Sequence, residues 1–439
     1  MKDLLVVQEQ YQEYPYPLRY PEDENKRLIS TIGDCLAALN HYLYCGKEDF
    51  KSGFRVLVAG GGTGDASTFL GEQLKNTNAE IIYLDFSKAS MEIAQKRAEV
   101  RGLKNITWIH DSILNIPKLA LGKFDFINCC GVLHHLASPD EGLKILNDSL
   151  SMRGGMHLMI YAKYGREGVY QIQNLMRLIN SNVHNKTQEI INCKALLGSL
   201  PDTNWFKKSK ELYHDHAEDG GLYDLLLHKQ DRAYSIPEMY EFVNNAGLHF
   251  VEFSMLESLL LLESKNYIRN SELLLKVKNK DVINQQAIYE LITGKITKHE
   301  FFVSIKQETV ASIADLDNIP YFYYNTSYIP KHAYDYIENN KLVAGMNVNF
   351  SFNIAQRCNI NLLLCMSEYT KYIFKNMIDG TKSLQEIFDA IRQELNRDLS
   401  DELLINEAKI ALTPFFEAGI LFLRHKSIAP YIDYAAEKL

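Results

Sequence analysis

Between residues 55 and 160, short apolar runs alternate with helix-patterned segments, and no other feature constrains the fold as much. RVLVA (55–59), EIIYLD (80–85), NITWIH (105–110), FDFINCC (124–130) and GMHLMIYA (155–162) read as strands. DASTFLGEQLK (65–75) and SKASMEIAQKRAEVRG (87–102) read as helices, with Ser87 as N-cap of the second and Gly102 just past its end. Repeated β-α units with short apolar strands build a parallel sheet covered on both faces. The predicted fold class is therefore α/β.

The turn after the first strand carries four glycines in the five positions 60–64. A dinucleotide fingerprint, G-x-G-x-x-G, would need glycine where Asp65 or Ser67 stands. A phosphate-binding P-loop would need Gly-Lys-Ser/Thr at its end, and the segment lacks it. What remains is G-x-G-x-G, Gly60, Gly62 and Gly64, a turn whose backbone N–H groups approach a ligand less bulky than a pyrophosphate. Asp85 ends the second strand, where a carboxylate can accept two ribose hydroxyls. Asp111 and Ser112 follow the third strand, placed for an adenine amine, and NCCGVLHHL (128–136) follows the fourth. All lie at the carboxyl ends of the strands, where open α/β sheets bind ligands.

Together, VLVAGGGTG, YLDFS, HDS, FDFINCCGVLHHL and GGMHLMIYA resemble the class I S-adenosylmethionine-dependent methyltransferases over about a quarter of the chain. The resemblance implies a Rossmann-like seven-stranded sheet whose last strand is antiparallel, with the methyl donor bound across the strand ends. It implies Gly60, Gly62 and Gly64 beside the donor's methionine part, Asp85 at the ribose and Asp111 and Ser112 at the adenine. Cys130 or Gly131 would lie near the donor's amino-acid end. One position departs from the pattern: where many family members carry an acid two residues before the first glycine, this chain has Val58. Asp65 is the candidate to assist instead.

Beyond residue 162 the pattern is mainly helical, with a polar insertion at about 180–235 and a helix at SIPEMYEFVNNAG (235–247), Pro237 near its first turn and Gly247 at its end. LHFVEFSML reads as a strand, and HEFFVSIKQ (299–307) as a later strand of the same sheet. SEYTKYIFKNMIDGTKSLQEIFDAIRQEL (367–395) reads as helix, turn at Asp379-Gly380, and a second helix opened by the capping box Ser383-x-x-Glu386. With the segment after it, this resembles a small winged-helix-type module. Its second helix is more acidic than basic, which favours packing or partner docking over reading DNA. The predicted division is an N-terminal arm (1–50), a donor-binding domain (51–310) and a C-terminal helical module (311–439).

The net charge of −8 argues against a broad nucleic-acid surface. The seven cysteines include no C-x-x-C pair, which points to reduced thiols rather than a zinc site. The N-terminus turns polar within a few residues, unlike a signal peptide, and no apolar run approaches a membrane span. A cytoplasmic protein is expected; a homodimer is compatible with the chain.

Methyl transfer is an in-line displacement on a sulfonium, so the protein mainly positions the acceptor and, where needed, removes its proton. His134 and His135, after strand four, and Tyr161, in strand five, are candidate catalytic residues; each reads equally well as a structural group. Tyr14, Tyr16 and Arg19, in QEYPYPLRYP (12–21), suit either a lid over the donor or an arm packed outside the core. Tyr164, His228 and Arg232 are further acceptor-side candidates, and Asp231 with Arg232 forms either an acceptor contact or a brace. YHDHAED (213–219) gathers His214, Asp215, His216, Glu218 and Asp219, a density that suits a metal but fits a solvated loop better; no metal is expected.

Neither Asn-Pro-Pro-Tyr nor a Pro-Cys nucleophile is present, which disfavours exocyclic-base and cytosine-C5 methylation. The extra segments resemble, loosely, bacterial multi-domain methyltransferases that include protein-lysine methyltransferases. The leading expectation is methyl transfer from S-adenosylmethionine to a protein or peptide side chain, with lysine one such acceptor. A small-molecule methyltransferase and a non-catalytic donor-binding regulator are the alternatives.

Overall fold

The computed structural model describes residues 2–213, 218–322, 328–354 and 358–432. The chain divides into two compact units, one of residues Met1–Thr31, Lys51–Phe250 and Glu263–Lys306, the other of Ile32–Phe50, Val251–Leu262 and Gln307–Leu439.

The main sheet, which lies in the first unit except for the end of β7, consists of β1 (Arg55–Ala59), β2 (Glu80–Asp85), β3 (Ile106–His110), β4 (Phe124–Cys130), β5 (Leu150–Ala162), β6 (Ala233–Tyr234), β7 (His249–Phe253) and β8 (Lys298–Ser304). The strand order is β3-β2-β1-β4-β5-β8-β7, with the short β6 against the end of β5. Pairs β1–β2, β2–β3, β1–β4 and β4–β5 are parallel, and β8 runs antiparallel to β5. This is the Rossmann-like methyltransferase fold expected from the sequence, and HEFFVSIKQ does supply a strand of the same sheet. β1 and β2 are buried almost throughout, as a sheet covered on both faces requires.

Local signals fix the helix ends. Ser87 caps Lys88–Val100 by accepting from the Ser90 N–H, and Ser235 with Glu238 forms a capping box before Ile236–Asn245, which carries a proline in its first turn. The described residues of the insertion form helices Lys186–Ser199 and Trp205–Ser209, the short turn Asp219–Leu222 and a π-helical turn at Tyr223–Leu227. Its buried residues form a separate apolar cluster with Val169, Ile172 and Met176. LHFVEFSML is a strand only to Phe253; a helix starts at Met255.

In the second unit, β9 (Asn318–Phe322) pairs antiparallel with β12 (Leu421–His425), and β10 (Asn347–Ile354) with β11 (Cys358–Cys365). Helices Thr370–Met377, Leu384–Leu395 and Asp401–Glu417 pack on them around Phe350, Phe374, Phe388 and Phe415. The helix-turn-helix and its Ser383–Glu386 capping box are in place. The module is less purely helical than expected, because its core is shared with two strand pairs. No helix among the described residues is long and apolar enough to cross a membrane.

Candidate active site

The glycine turn after β1 is shaped by close contacts. Gly60, Gly62 and Gly64 have φ of +77°, +52° and +99°, values that side-chain-bearing residues avoid. A Cβ on Gly60 would lie 2.3 Å from Val132 Cγ2, and one on Gly61 2.1 Å from the Tyr83 ring. Gly62 differs: a Cβ there would meet only the Tyr16 carbonyl oxygen, at 3.5 Å. The Gly62 N–H donates to Asp85 Oδ2 at 2.8 Å, and the Ser87 N–H to Asp85 Oδ1 at 2.7 Å. Each carboxylate oxygen keeps a lone pair for another donor. Burial raises the Asp85 carboxyl above its usual range, against the opposing pull of these two N–H groups.

The N-terminal arm covers this turn. Thr63 Oγ1 donates to the Pro17 carbonyl at 2.7 Å, and Ser87 Oγ to the Tyr11 carbonyl at 3.0 Å. Arg19 donates to both oxygens of Asp65, and Arg97 to Asp65 Oδ1 at 2.6 Å. Arg97, itself buried, also holds the Thr63 carbonyl and the buried Glu24. Burial alone would raise the Asp65 carboxyl; Arg19, with Arg97, outweighs it and holds the group below its usual range. Asp65 is thus engaged by the chain's own arginines, and Arg19, expected on the acceptor side, is a clasp between arm and turn.

Beyond the ends of β4 and β5 lies a dense polar cluster. Tyr11 Oη donates to Asp224 Oδ1 at 2.7 Å and Tyr161 Oη to Asp224 Oδ2 at 3.3 Å. The Tyr161 ring is flanked by His134, with centroids 3.8 Å apart, and by the Arg166 guanidinium at 3.5 Å. His135 stacks on His228 at 4.0 Å. Burial drives all three histidines to the neutral form, His135 to about 4 and the other two well below the ordinary value. Burial, and then Asp224, raise both tyrosine hydroxyls, and Tyr16 acts electrostatically on both. Neither ring nitrogen of His134 meets a hydrogen-bond partner among the described residues.

His135, Asp224 and His228 offer ligand atoms within 4.8 Å of one another, a spacing compatible with a cation. The tautomers favour another use. His135 Nδ1 donates to the Gln230 carbonyl at 3.1 Å, leaving its Nε2 lone pair open. His228 Nδ1 accepts the Gln230 N–H at 3.1 Å, so the proton of a neutral His228 sits on Nε2. A protonated nitrogen is a hydrogen-bond donor, not a ligand.

Residues 57–156 match the sequence profile of a family described as a methyltransferase domain. This segment is a methyltransferase domain. Its cofactor is S-adenosylmethionine, and the positive-φ glycines and the buried Asp85 fit such a donor. An uncharacterised protein of Synechococcus sp. is 28% identical over 60% of the chain, and one of Rickettsia prowazekii 24% over 81%. The chain spans 63% and 65% of those relatives' lengths, under two thirds in each case. Two solved structures of PKMT2 from Rickettsia typhi share the fold. One, in complex with AdoHcy, has 16% identity and a TM-score of 0.59, covering 95% of this chain and 76% of that one. The other has 17% identity and a TM-score of 0.60, covering 90% and 76%.

The other expected residues of the methyltransferase domain fall in several places. Asp111 accepts from the Ser112 N–H and from Asn115 Nδ2, both at 2.7 Å, and Ser112 Oγ caps the following turn. Gly131, at φ +77°, donates its N–H to the Met159 carbonyl at 3.2 Å. Cys130 turns its sulfur to His157, 3.3 Å away. Tyr14 stacks on Tyr223 at 5.8 Å, and Tyr164 opens the 3-10 turn after β5. Arg232 engages Asp140 at 4.0 Å and the Tyr234 ring, while Asp231 pairs with Arg166 at 3.7 Å. Asp231 and Arg232 thus take different partners. His214, Asp215 and His216 lie outside the described residues. Sequence reasoning missed Tyr11, Asp224 and Arg166, which only tertiary structure brings together.

Proposed function

We propose that this protein transfers the methyl group of S-adenosylmethionine to an amine on a protein side chain, lysine first. Gly60, Gly62 and Gly64 would border the donor's methionine part, Asp85 would hold its ribose, and Asp111 and Ser112 its adenine. Cys130 or Gly131 would lie near the donor's amino-acid end. When bound, the donor supplies an electrophilic methyl on a sulfonium.

The observation that carries the acceptor reading is Asp224, received by the Tyr11 and Tyr161 hydroxyls beside three neutral histidines. An ammonium entering there meets a carboxylate and aromatic rings, the chemistry that recognises a lysine head. It must lose a proton before it can attack. The open Nε2 of His135 and the Asp224 carboxylate are the groups placed to take that proton. The PKMT2 structures of the same fold support this reading.

The test is incubation with S-adenosylmethionine and a panel of protein acceptors, followed by mass spectrometry of methylated residues. Methyl-lysine formed by the wild type and lost in Asp85→Ala, together with donor binding by calorimetry, is the expected result. Donor binding with no methylated product on any amine overturns the acceptor assignment.

A further inference from the structure

A second group of reactive side chains lies on one face of the sheet, across three neighbouring strands. Cys130 ends β4, His157 lies in β5 and Glu300 in β8. The registers pair Cys130 with Met159, Asn128 with His157, and Met159 with Glu300, so all three side chains share a face. Cys130 Sγ is 3.3 Å from His157 Nδ1, and His157 Nε2 is 3.4 Å from Glu300 Oε1. Glu300 Oε2 in turn meets Lys298 Nζ at 2.8 Å. His157 is buried, while Cys130 is partly exposed, unlike its fully buried neighbour Cys129.

We propose that Cys130, His157 and Glu300 form an activated-thiol site that makes Cys130 a target for peroxides. The order is that of a nucleophile, a base and a group that orients the base. Burial would lower the His157 imidazole, but Cys130 and Glu300 outweigh it and raise the group well above its ordinary range. Burial would raise the Glu300 carboxyl; Lys298 and His157 hold it well below its usual range. The imidazole therefore receives the thiol proton, and the carboxylate stabilises the cation that results.

In the oxidation, the thiolate sulfur attacks one peroxide oxygen, the S–O bond forms and the O–O bond breaks. The leaving hydroxide takes the proton stored on His157. Sulfur is oxidised by two electrons to the sulfenic acid, and the peroxide is reduced to water. The proposal does not depend on which acceptor the methyltransferase uses, and it is tested on the protein without donor, because the donor's amino-acid end would lie near Cys130.

The test treats the full chain with limiting hydrogen peroxide at neutral pH, traps sulfenic acid with dimedone and quantifies each cysteine by peptide mass spectrometry. Cys45 and Cys365, both exposed, are internal references. A free thiol is only a few per cent thiolate at neutral pH, so Cys130 is expected to be trapped about tenfold faster than either. Glu300→Gln and His157→Gln, checked for folding by circular dichroism, should bring it down toward the references. Trapping of wild-type Cys130 no faster than Cys45 and Cys365 overturns the proposal, as does a folded Glu300→Gln protein that is trapped at the wild-type rate.

Discussion

Arg19 and Asp65 are joined by three hydrogen bonds, Nε to Oδ1 at 2.9 Å and to Oδ2 at 3.2 Å, and Nη2 to Oδ2 at 2.7 Å. This fork ties the N-terminal arm to the first residue of the helix that follows the glycine turn. Gly62 faces the Tyr16 carbonyl, so the arm lies against the turn where the donor would bind. Arg19→Ala should release it. Both side chains are about a quarter exposed, so folding stability should change by less than about 1 kcal/mol. The dissociation of S-adenosylhomocysteine, followed by stopped flow, should instead quicken several-fold.

Behind that fork, Arg97 and Glu24 form a pair that is almost wholly buried, with side-chain exposures of 1% and 3%. Glu24 is shared with Arg101, and Arg97 also holds Asp65, so the pair is part of a network whose members lose a partner when either is removed. Arg97→Met should cost up to about 3–5 kcal/mol, read from urea unfolding, with Arg101 offsetting part of the charge left on Glu24. The double variant Arg97→Met/Glu24→Gln should not recover the whole loss, since it also takes the carboxylate from Arg101.

The histidine cluster predicts a pH dependence of stability. A histidine held neutral in the native chain takes up its proton near pH 6.5 once unfolded. For His135, whose folded value is about 4, stability is complete above pH 6.5. It then falls as the pH drops toward 4, by up to about 1.4 kcal/mol per pH unit. His134 and His228 add in the same direction. Urea midpoints between pH 7.5 and 5 should drop steeply, and His134→Gln should shallow the slope by about one proton.

How much of this was legible in the sequence follows from the range over which each signal acts. The β-α alternation, the glycine turn, Asp85, the Ser87 cap and the Ser383–Glu386 box are local, and each occupies the place its pattern implies. The β10–β11 pair was also readable in principle. Phe350 and Phe352, and Ile360, Leu362 and Leu364, fall at every second position and are buried, while Leu363 between the last two is exposed. Pairings across long separations were not readable. Tyr11 meets Asp224 across 213 positions, and Arg166 pairs with the distant Asp231. Glu300 reaches His157 only because β8 runs antiparallel beside β5. No spacing rule predicts these contacts; sheet order does.

The sharpest separation of donor from acceptor chemistry is at Asp224. Asp224→Asn keeps the shape and the acceptor oxygen for one tyrosine but removes the charge that an ammonium seeks. The residue sits on the π-helical turn Tyr223–Leu227 and is not among those that would border the donor, so S-adenosylmethionine affinity by calorimetry should match the wild type. Turnover of a lysine-bearing acceptor should fall by about 10²–10⁴-fold if the carboxylate also receives the proton. Tyr11→Phe, which removes one hydroxyl and leaves the charge, should fall far less. A pattern in which Tyr11→Phe is as damaging as Asp224→Asn would place the proton acceptor elsewhere, with the Nε2 of His135 next in line.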